Sequence, residues 1–263
     1  MFMSRRIILA PLILLADLPQ AIAQNTQSEF RPEVDGYVTL SPAVRVFLLA
    51  LFTDELETGQ WQGHFGVHFD FALKPVFRRE LRSRDDVFRR RFLSFRAGYR
   101  YITSLGESSS PYLEHRWVVE LTSRTPLPGK LVMVDSSRGE LRFIGGQPFS
   151  TRYRNKLQLE RDFSFGSLVF TPYIDGQLYY DTRYDVWNRN RYSAGVQVPA
   201  GKHLVLETYY LRQNDSRSSN PHVNAVGLTF HLYFSNGDFR ACPTALSVSA
   251  RAPALTLGAS PGG

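Results

Sequence analysis

The sequence predicts an all-β fold: an antiparallel transmembrane β-barrel of 12 strands, with 10 as the second choice. Three observations predict it. Apolar and polar residues alternate with a period of two along segment after segment. Beyond the N-terminus there is no apolar run of ~20 residues, so no helix is long enough to span a bilayer. The N-terminus itself reads as an export signal.

Residues 1–23 carry that signal. Arg5 and Arg6 form the charged start, Ile7 to Ala16 an apolar stretch broken only by Pro11, and Ala21-Ile22-Ala23 a small-x-small cleavage site. Residues 24–31 are polar and expected to precede the barrel, residues 32–234 to form it, and residues 235–263, rich in Ala, Pro, Ser and Gly, to be a disordered tail. Cys242 stands alone, so the fold cannot depend on an internal disulfide. The formal charge is +7, of which the signal contributes one. An exported basic chain points to lipid phosphates or anions rather than to nucleic acid.

The alternating segments run in order from Glu33–Leu40 and Val44–Phe52, flanking a Ser41-Pro42 turn, to Trp61–Leu73. In the last of these Phe65, Val67, Phe69, Phe71 and Leu73 face one way, and His64, Gly66, His68 and Asp70 the other. Leu93–Thr103 sets Leu93, Phe95, Ala97, Tyr99 and Tyr101 against Ser94, Arg96, Gly98 and Arg100. Leu113–Thr122, Lys130–Phe143 (the least regular), Thr151–Arg161 and Leu168–Asp181 follow, then Arg191–Val198, His203–Arg212 and Val223–Phe234. The closing segment pairs an apolar stripe (Val226, Leu228, Phe230, Leu232, Phe234) with a small or polar one (Ala225, Gly227, Thr229, His231, Tyr233). Tight turns at Pro126–Gly129, Phe163–Ser167 and Pro199–Lys202 alternate with longer loops at Gly145–Ser150, Thr182–Asn190 and Asn214–His222, as in barrels with short periplasmic turns. That makes eleven segments. Single-chain bacterial barrels have even numbers, so a twelfth is expected within Lys74–Arg91.

Several stretches also resemble a known family: P-E-V-D-G-Y (Pro32 to Tyr37), A-G-Y-R-Y (Ala97 to Tyr101), R-Y-R-N-K-L-Q-L-E-R (Arg152 to Arg161), T-P-Y-I-D-G-Q-L-Y-Y-D-T-R-Y-D-V-W (Thr171 to Trp187) and N-A-V-G-L-T-F-H-L-Y-F (Asn224 to Phe234). Over about Pro32 to Phe234 the chain resembles a bacterial outer-membrane β-barrel family filed as domain of unknown function 2490. The resemblance implies a closed outer-membrane barrel, inserted by the barrel-assembly machinery, and no activity. Related barrels are expected to end at the terminal aromatic, whereas here 29 residues follow Phe234.

The inward stripes assemble a charged lining: Arg96, Arg100, Arg116, Arg152, Arg154, Lys156 and Arg191 with Glu114, Glu120, Glu160, Asp175, Asp181 and Glu207. Buried charges need partners, so this set reads first as a network that fills the interior, and second as the wall of a narrow anion-favouring path. Tyr179, Tyr180, Tyr184, Trp187, Tyr209 and Tyr210 read as an aromatic girdle at the membrane boundary. Arg78, Arg79, Arg82, Arg89, Arg90 and Arg91 read as contacts to lipid phosphates on the rim that holds Phe234. His64 and His68 lie ~13 Å apart on a strand, too far for one zinc ion. Ser94 and Ser193, with His115, His203 and His231, form no hydrolase motif. The expected role is therefore a narrow channel or structural envelope protein in the outer membrane, in contact with its lipids and lipopolysaccharide, without cofactor, metal or catalysis. The alternatives are a lipid acyl hydrolase of the same membrane and a soluble periplasmic ligand carrier.

Overall fold

In the computed structural model the described residues are 26–73, 91–106, 111–166 and 168–235. The signal, the arginines from Arg78 to Arg90 and the tail beyond Ser235 lie outside them. The strands are β1 (Thr26–Ser41), β2 (Val44–Glu55), β3 (Gln60–Ala72), β4 (Leu93–Leu105), β5 (Leu113–Pro126), β6 (Leu131–Ile144), β7 (Ser150–Arg161), β8 (Phe163–Phe165), β9 (Leu168–Asp181), β10 (Val186–Pro199), β11 (Leu204–Asp215) and β12 (His222–Ser235).

Eleven of these close into one barrel. β1 to β7 pair in sequence, β7 pairs with β9, and β9 to β12 continue the ring. β8 pairs only with the start of β9 and stands outside it. The ring closes where β12 runs parallel to β1, from Thr26 opposite His222 to Thr39 opposite Ser235. Every other neighbouring pair in the ring is antiparallel.

This closure corrects the expected count of twelve barrel strands. An even number is required only when every neighbour is antiparallel; one parallel pair lets an odd ring close. Among the described residues no strand stands between β3 and β4, which pair directly from Trp61 opposite Leu105 to Ala72 opposite Ser94; most of the expected Lys74–Arg91 segment lies outside those residues. A second correction concerns Thr26–Arg31, expected to precede the barrel. These residues begin β1 and pair with His222–Gly227 of β12.

The connections divide between two rims. One rim carries 42–43, 74–92, 127–130, the β8 turn and 200–203, together with Phe234. The other carries 56–59, 106–112, 145–149, 182–185 and 216–221, together with Thr26. The expected contrast of lengths is weak, because strands extend into the loops. The longest connection, 74–92, lies on the rim of the tight turns.

Alternation along the strands sorts side chains as expected. Phe65, Val67, Phe69 and Phe71 of β3, Trp117, Val119 and Leu121 of β5, and Ile174 and Leu178 of β9 all stand exposed on the outside. β6 reads as irregular because its central outward positions, Asp135, Ser137 and Gly139, are polar or small. Asn155 Nδ2 of β7 donates to Asp135 Oδ1 (2.9 Å) and Ser137 Oγ (3.3 Å), and Gly139 is next in the row.

Inside, the apolar residues cluster in a patch of Tyr37, Phe47 and Leu49, with Leu51 and Tyr233 against it, while Ile102, Val134 and Leu211 are buried elsewhere along the lumen. Its rings form a stack across four strands: His68 to Phe47 (5.3 Å), Phe47 to Tyr37 (4.8 Å) and Tyr37 to Tyr233 (4.9 Å). The last step crosses the parallel seam. Two inward glycines make room for rings beside them. A Cβ at Gly98 would lie 2.4 Å from the Val67 carbonyl oxygen and 2.5 Å from His68 Cδ2, and one at Gly227 only 2.0 Å from the Tyr209 ring.

Gly227→Ala is therefore expected to destabilise the barrel by about 1–3 kcal/mol through overpacking. Urea unfolding of the micelle-folded protein measures it, and Tyr209→Ala in the same chain is expected to recover much of the loss.

Candidate functional site in the charged interior

A cavity of about 710 Å³ occupies the lumen, and residues from both rims line it. Glu55, Tyr112 and Arg183 stand at one end, and Arg45, Arg124 and Glu160 at the other. The lining is divided by wall. On β4 to β7 the inward positions carry Arg96, Arg100, Arg116, Arg124, Arg138, Arg142, Arg152, Arg154 and Lys156 against Glu114, Glu120, Glu140 and Glu160. On the other barrel strands they carry Arg31, Arg45, Arg189 and Arg191 against Glu29, Glu33, Asp35, Glu55, Asp70, Asp175, Asp181, Glu207 and Asp215.

The strand register explains how the arginine-rich wall coheres. It sets Arg100 opposite Arg116, Arg116 opposite Arg142, and Arg138 opposite Arg154. Like charges directly opposite repel; Glu120 offsets this directly, opposite Arg96 and Arg138, whereas Glu114 reaches Arg142 and Glu140 reaches Arg116 from the diagonal. Glu114, fully buried, accepts from Arg116 Nε (2.8 Å) and from Arg142 Nε (2.7 Å) and Nη2 (3.0 Å), and Tyr112 donates to its other oxygen. Burial and the Glu114 carboxylate push the Tyr112 hydroxyl up, which keeps it a donor at neutral pH. Glu120 holds Arg138 closely and Arg154 at 3.6 Å; Glu140 holds Arg116 at 3.3 Å. Asp181, also fully buried, ties Arg142 (3.0 Å), Arg152 (2.9 Å) and Arg183 (3.1 Å) together at the end of β9.

Two further clusters flank that wall. Asp70 receives Arg45 Nε at 2.8 Å and a fork from Arg96 at 2.6 and 3.0 Å, while those guanidiniums lie over Tyr37 (4.3 Å) and Phe47 (4.0 Å). Across the seam His231 lies 3.2 Å from Asp35 and 2.9 Å from Glu207, and Tyr173 and Gln197 donate to Glu207 at 2.5 Å each.

Every residue of the expected lining faces the interior. Lys156 donates to Gln158, whose amide donates to Glu160; Ser193 and Gln177 donate to Asp175; Arg191 Nη2 donates to Gln213 (2.6 Å). The girdle is corrected in part. Tyr179 is buried in the lumen within 6 Å of the guanidiniums of Arg154, Arg189 and Arg191, and Tyr209 also lines the cavity. Neighbouring residues of a strand face opposite ways, so Tyr179-Tyr180 and Tyr209-Tyr210 each contribute one outward ring. Tyr180 and Trp187 meet edge to face at 5.6 Å near the exposed Tyr184. Of the basic segment only Arg91 is described, and it donates to the Pro42 carbonyl (3.1 Å) on the same rim.

The histidines and serines named in the sequence are placed apart. His64 bonds Gln62, and His68 Nε2 accepts from Arg100 Nε (3.2 Å). His115 bonds Tyr99, and His203 Nδ1 lies 2.9 Å from the Tyr233 carbonyl oxygen. Among the described residues no group of three or more His, Cys, Asp or Glu side chains is arranged to hold a metal. Sequence reasoning missed Arg138, Glu140 and Arg142, since the polar outer face of β6 hid its alternation. It missed Arg189 because that residue fell in the expected loop Thr182–Asn190, whereas β10 already begins at Val186, with a bulge between Trp187 and Arg189.

A family model described as "Protein of unknown function (DUF2490)" matches residues 60–224. A search of curated proteins found no match. Among solved structures, the β domain of the Bordetella autotransporter Brka is similar, with a TM-score of 0.42 and 14% identity over 75% of this chain and 84% of that one.

Glu114→Gln is expected to cost about 3–5 kcal/mol, because it leaves two buried guanidiniums without their shared carboxylate. The shift in the urea midpoint measures this. A change below about 1 kcal/mol would show that the network is not held through Glu114.

Proposed function

The chain belongs to the DUF2490 family, and from its interior we propose that it is an outer-membrane β-barrel with a narrow polar passage for water and small ions. The observation that carries this reading is the cavity lined from both rims. Strands of 12–16 residues, at ~3.3 Å per residue and a tilt of ~40°, stand roughly 33 Å tall. Spread over that height, about 710 Å³ gives a mean section on the order of 20 Å². That admits small ions and refuses large solutes.

The exposed outer belt of Phe65, Val67, Phe69, Trp117, Val119, Ile174 and Leu178 supports membrane embedding over a soluble periplasmic carrier. A contiguous apolar surface of this kind is a liability in water and fits an apolar band ~25 Å tall in lipid. Phe234 then lies at the periplasmic rim, where the assembly machinery reads the last strand. β3 ends and β4 begins on that rim, and the basic run of sequence that joins them, Arg78 to Arg91, suits phospholipid phosphates. Lipopolysaccharide meets the rim of 182–185, beside Tyr180 and Trp187.

Planar-bilayer recording of the refolded protein tests the passage. Small, stable conductance steps, well below those of a wide porin, are expected; absence of conductance in every salt leaves a structural barrel instead. In cell fractionation the protein is expected in the membrane pellet, and release by osmotic shock would contradict membrane embedding.

A further inference from the structure

One guanidinium of the interior stands out of balance. Arg100 is about nine-tenths buried, and its hydrogen bond runs from Nε to the neutral ring nitrogen of His68 at 3.2 Å. No carboxylate of the described residues lies within ion-pair distance of it, although its neighbours on the same wall all have one. Its direct partner across the strand pair is another arginine, Arg116, which itself engages Glu140 at 3.3 Å. Glu33 acts on Arg100 from the opposite wall. Arg154 meets Glu120 at 3.6 Å, a carboxylate that lies closer to Arg138, and lies 5.8 Å from the Tyr179 ring centre.

The arrangement is built, not incidental. Gly66 and Gly98 lie inward beside Arg100 and His68: a Cβ at Gly66 would sit 3.2 Å from Arg100 Cγ, and one at Gly98 would strike the His68 ring. Both glycines therefore seat the histidine flat against the wall and hold the arginine stem over it. The terminal nitrogens of Arg100 are left without a partner among the described residues, on the surface of the cavity that Arg116, Arg138 and Arg154 also line. A buried cation is costly unless an opposite charge meets it. Guanidinium forks match the oxygens of a phosphate or sulfate in geometry as well as charge.

We propose that the lumen binds a small oxyanion of the phosphate or sulfate type between Arg100 and Arg154, and that this anion completes the charge network. The site goes beyond the passage described above, because it can be filled whether or not the barrel conducts.

The test is thermal unfolding of the refolded full-length mature barrel in inorganic phosphate, with ionic strength held constant by chloride. The midpoint is expected to rise by about 3–6 °C for each tenfold increase in phosphate above the dissociation constant. Arg100→Gln is expected to match or exceed wild-type stability in chloride alone and to lose the phosphate response. Arg154→Gln serves as the second variant, with the same loss expected, should the first fail to assemble. A wild-type barrel that ignores phosphate, or a variant that keeps the full response, overturns the site. Bilayer recording in parallel separates this result from conduction: a phosphate shift without conductance leaves the site standing and removes the passage.

Discussion

The parallel pairing of β1 with β12 is the constraint on which the interior depends. It fixes fourteen consecutive Cα partners, from Thr26 and His222 to Thr39 and Ser235. Side chains alternate along both strands, so a slip by one residue would leave either Asp35 and Tyr37 or His231 and Tyr233 facing out of the lumen and break both contacts across the seam. Parallel ladders are slightly weaker per residue than antiparallel ones. Here side chains reinforce the seam: Tyr37 stacks on Tyr233 at 4.9 Å, and Asp35 meets His231 at 3.2 Å. The same seam makes the ring odd-numbered and sends Thr26 and Ser235 to opposite rims.

Closure at eleven strands brings the charged stripes close enough to face each other across a narrow lumen. The arginine-rich wall of β4 to β7 and the acid-rich strands opposite are the result. On the first wall the register places arginine beside arginine, and cohesion comes from a few buried carboxylates, Glu114 and Asp181 above all, each serving two or three guanidiniums. Such networks add little net stability against an apolar filling. What they supply is a polar interior of defined section, with charge concentrated where a permeating ion or a bound anion would meet it.

Much of this was legible in the sequence because period-two alternation is strict on β3, β4 and β12, where one stripe is wholly apolar. The expected lining residues of β4, β5, β7, β9, β10 and β11 all face inward because each lies in phase with a largely apolar outward stripe. Legibility failed where alternation is broken or ambiguous. On β6 the outward Asp135, Ser137 and Gly139 masked the inward Arg138, Glu140 and Arg142. At β10 the bulge put both Asn188 and Arg189 against the interior. Paired tyrosines offered no sign of which ring faces out, and the decisive contacts are with residues distant in sequence, such as Gly227 beneath Tyr209. Strand parity could not be read at all, because parallel closure depends on how the two ends of the chain meet.

Disulfide trapping across the seam tests the eleven-strand closure most directly. Val34 and Phe230 are direct partners on the outer face, within the span a disulfide bridges. Val34→Cys with Phe230→Cys, in a chain carrying Cys242→Ser, is predicted to cross-link under mild oxidation in the membrane-inserted protein and to migrate as a looped species on a denaturing gel. Failure to cross-link, with both thiols open to a small maleimide, would contradict the parallel seam and the interior built upon it.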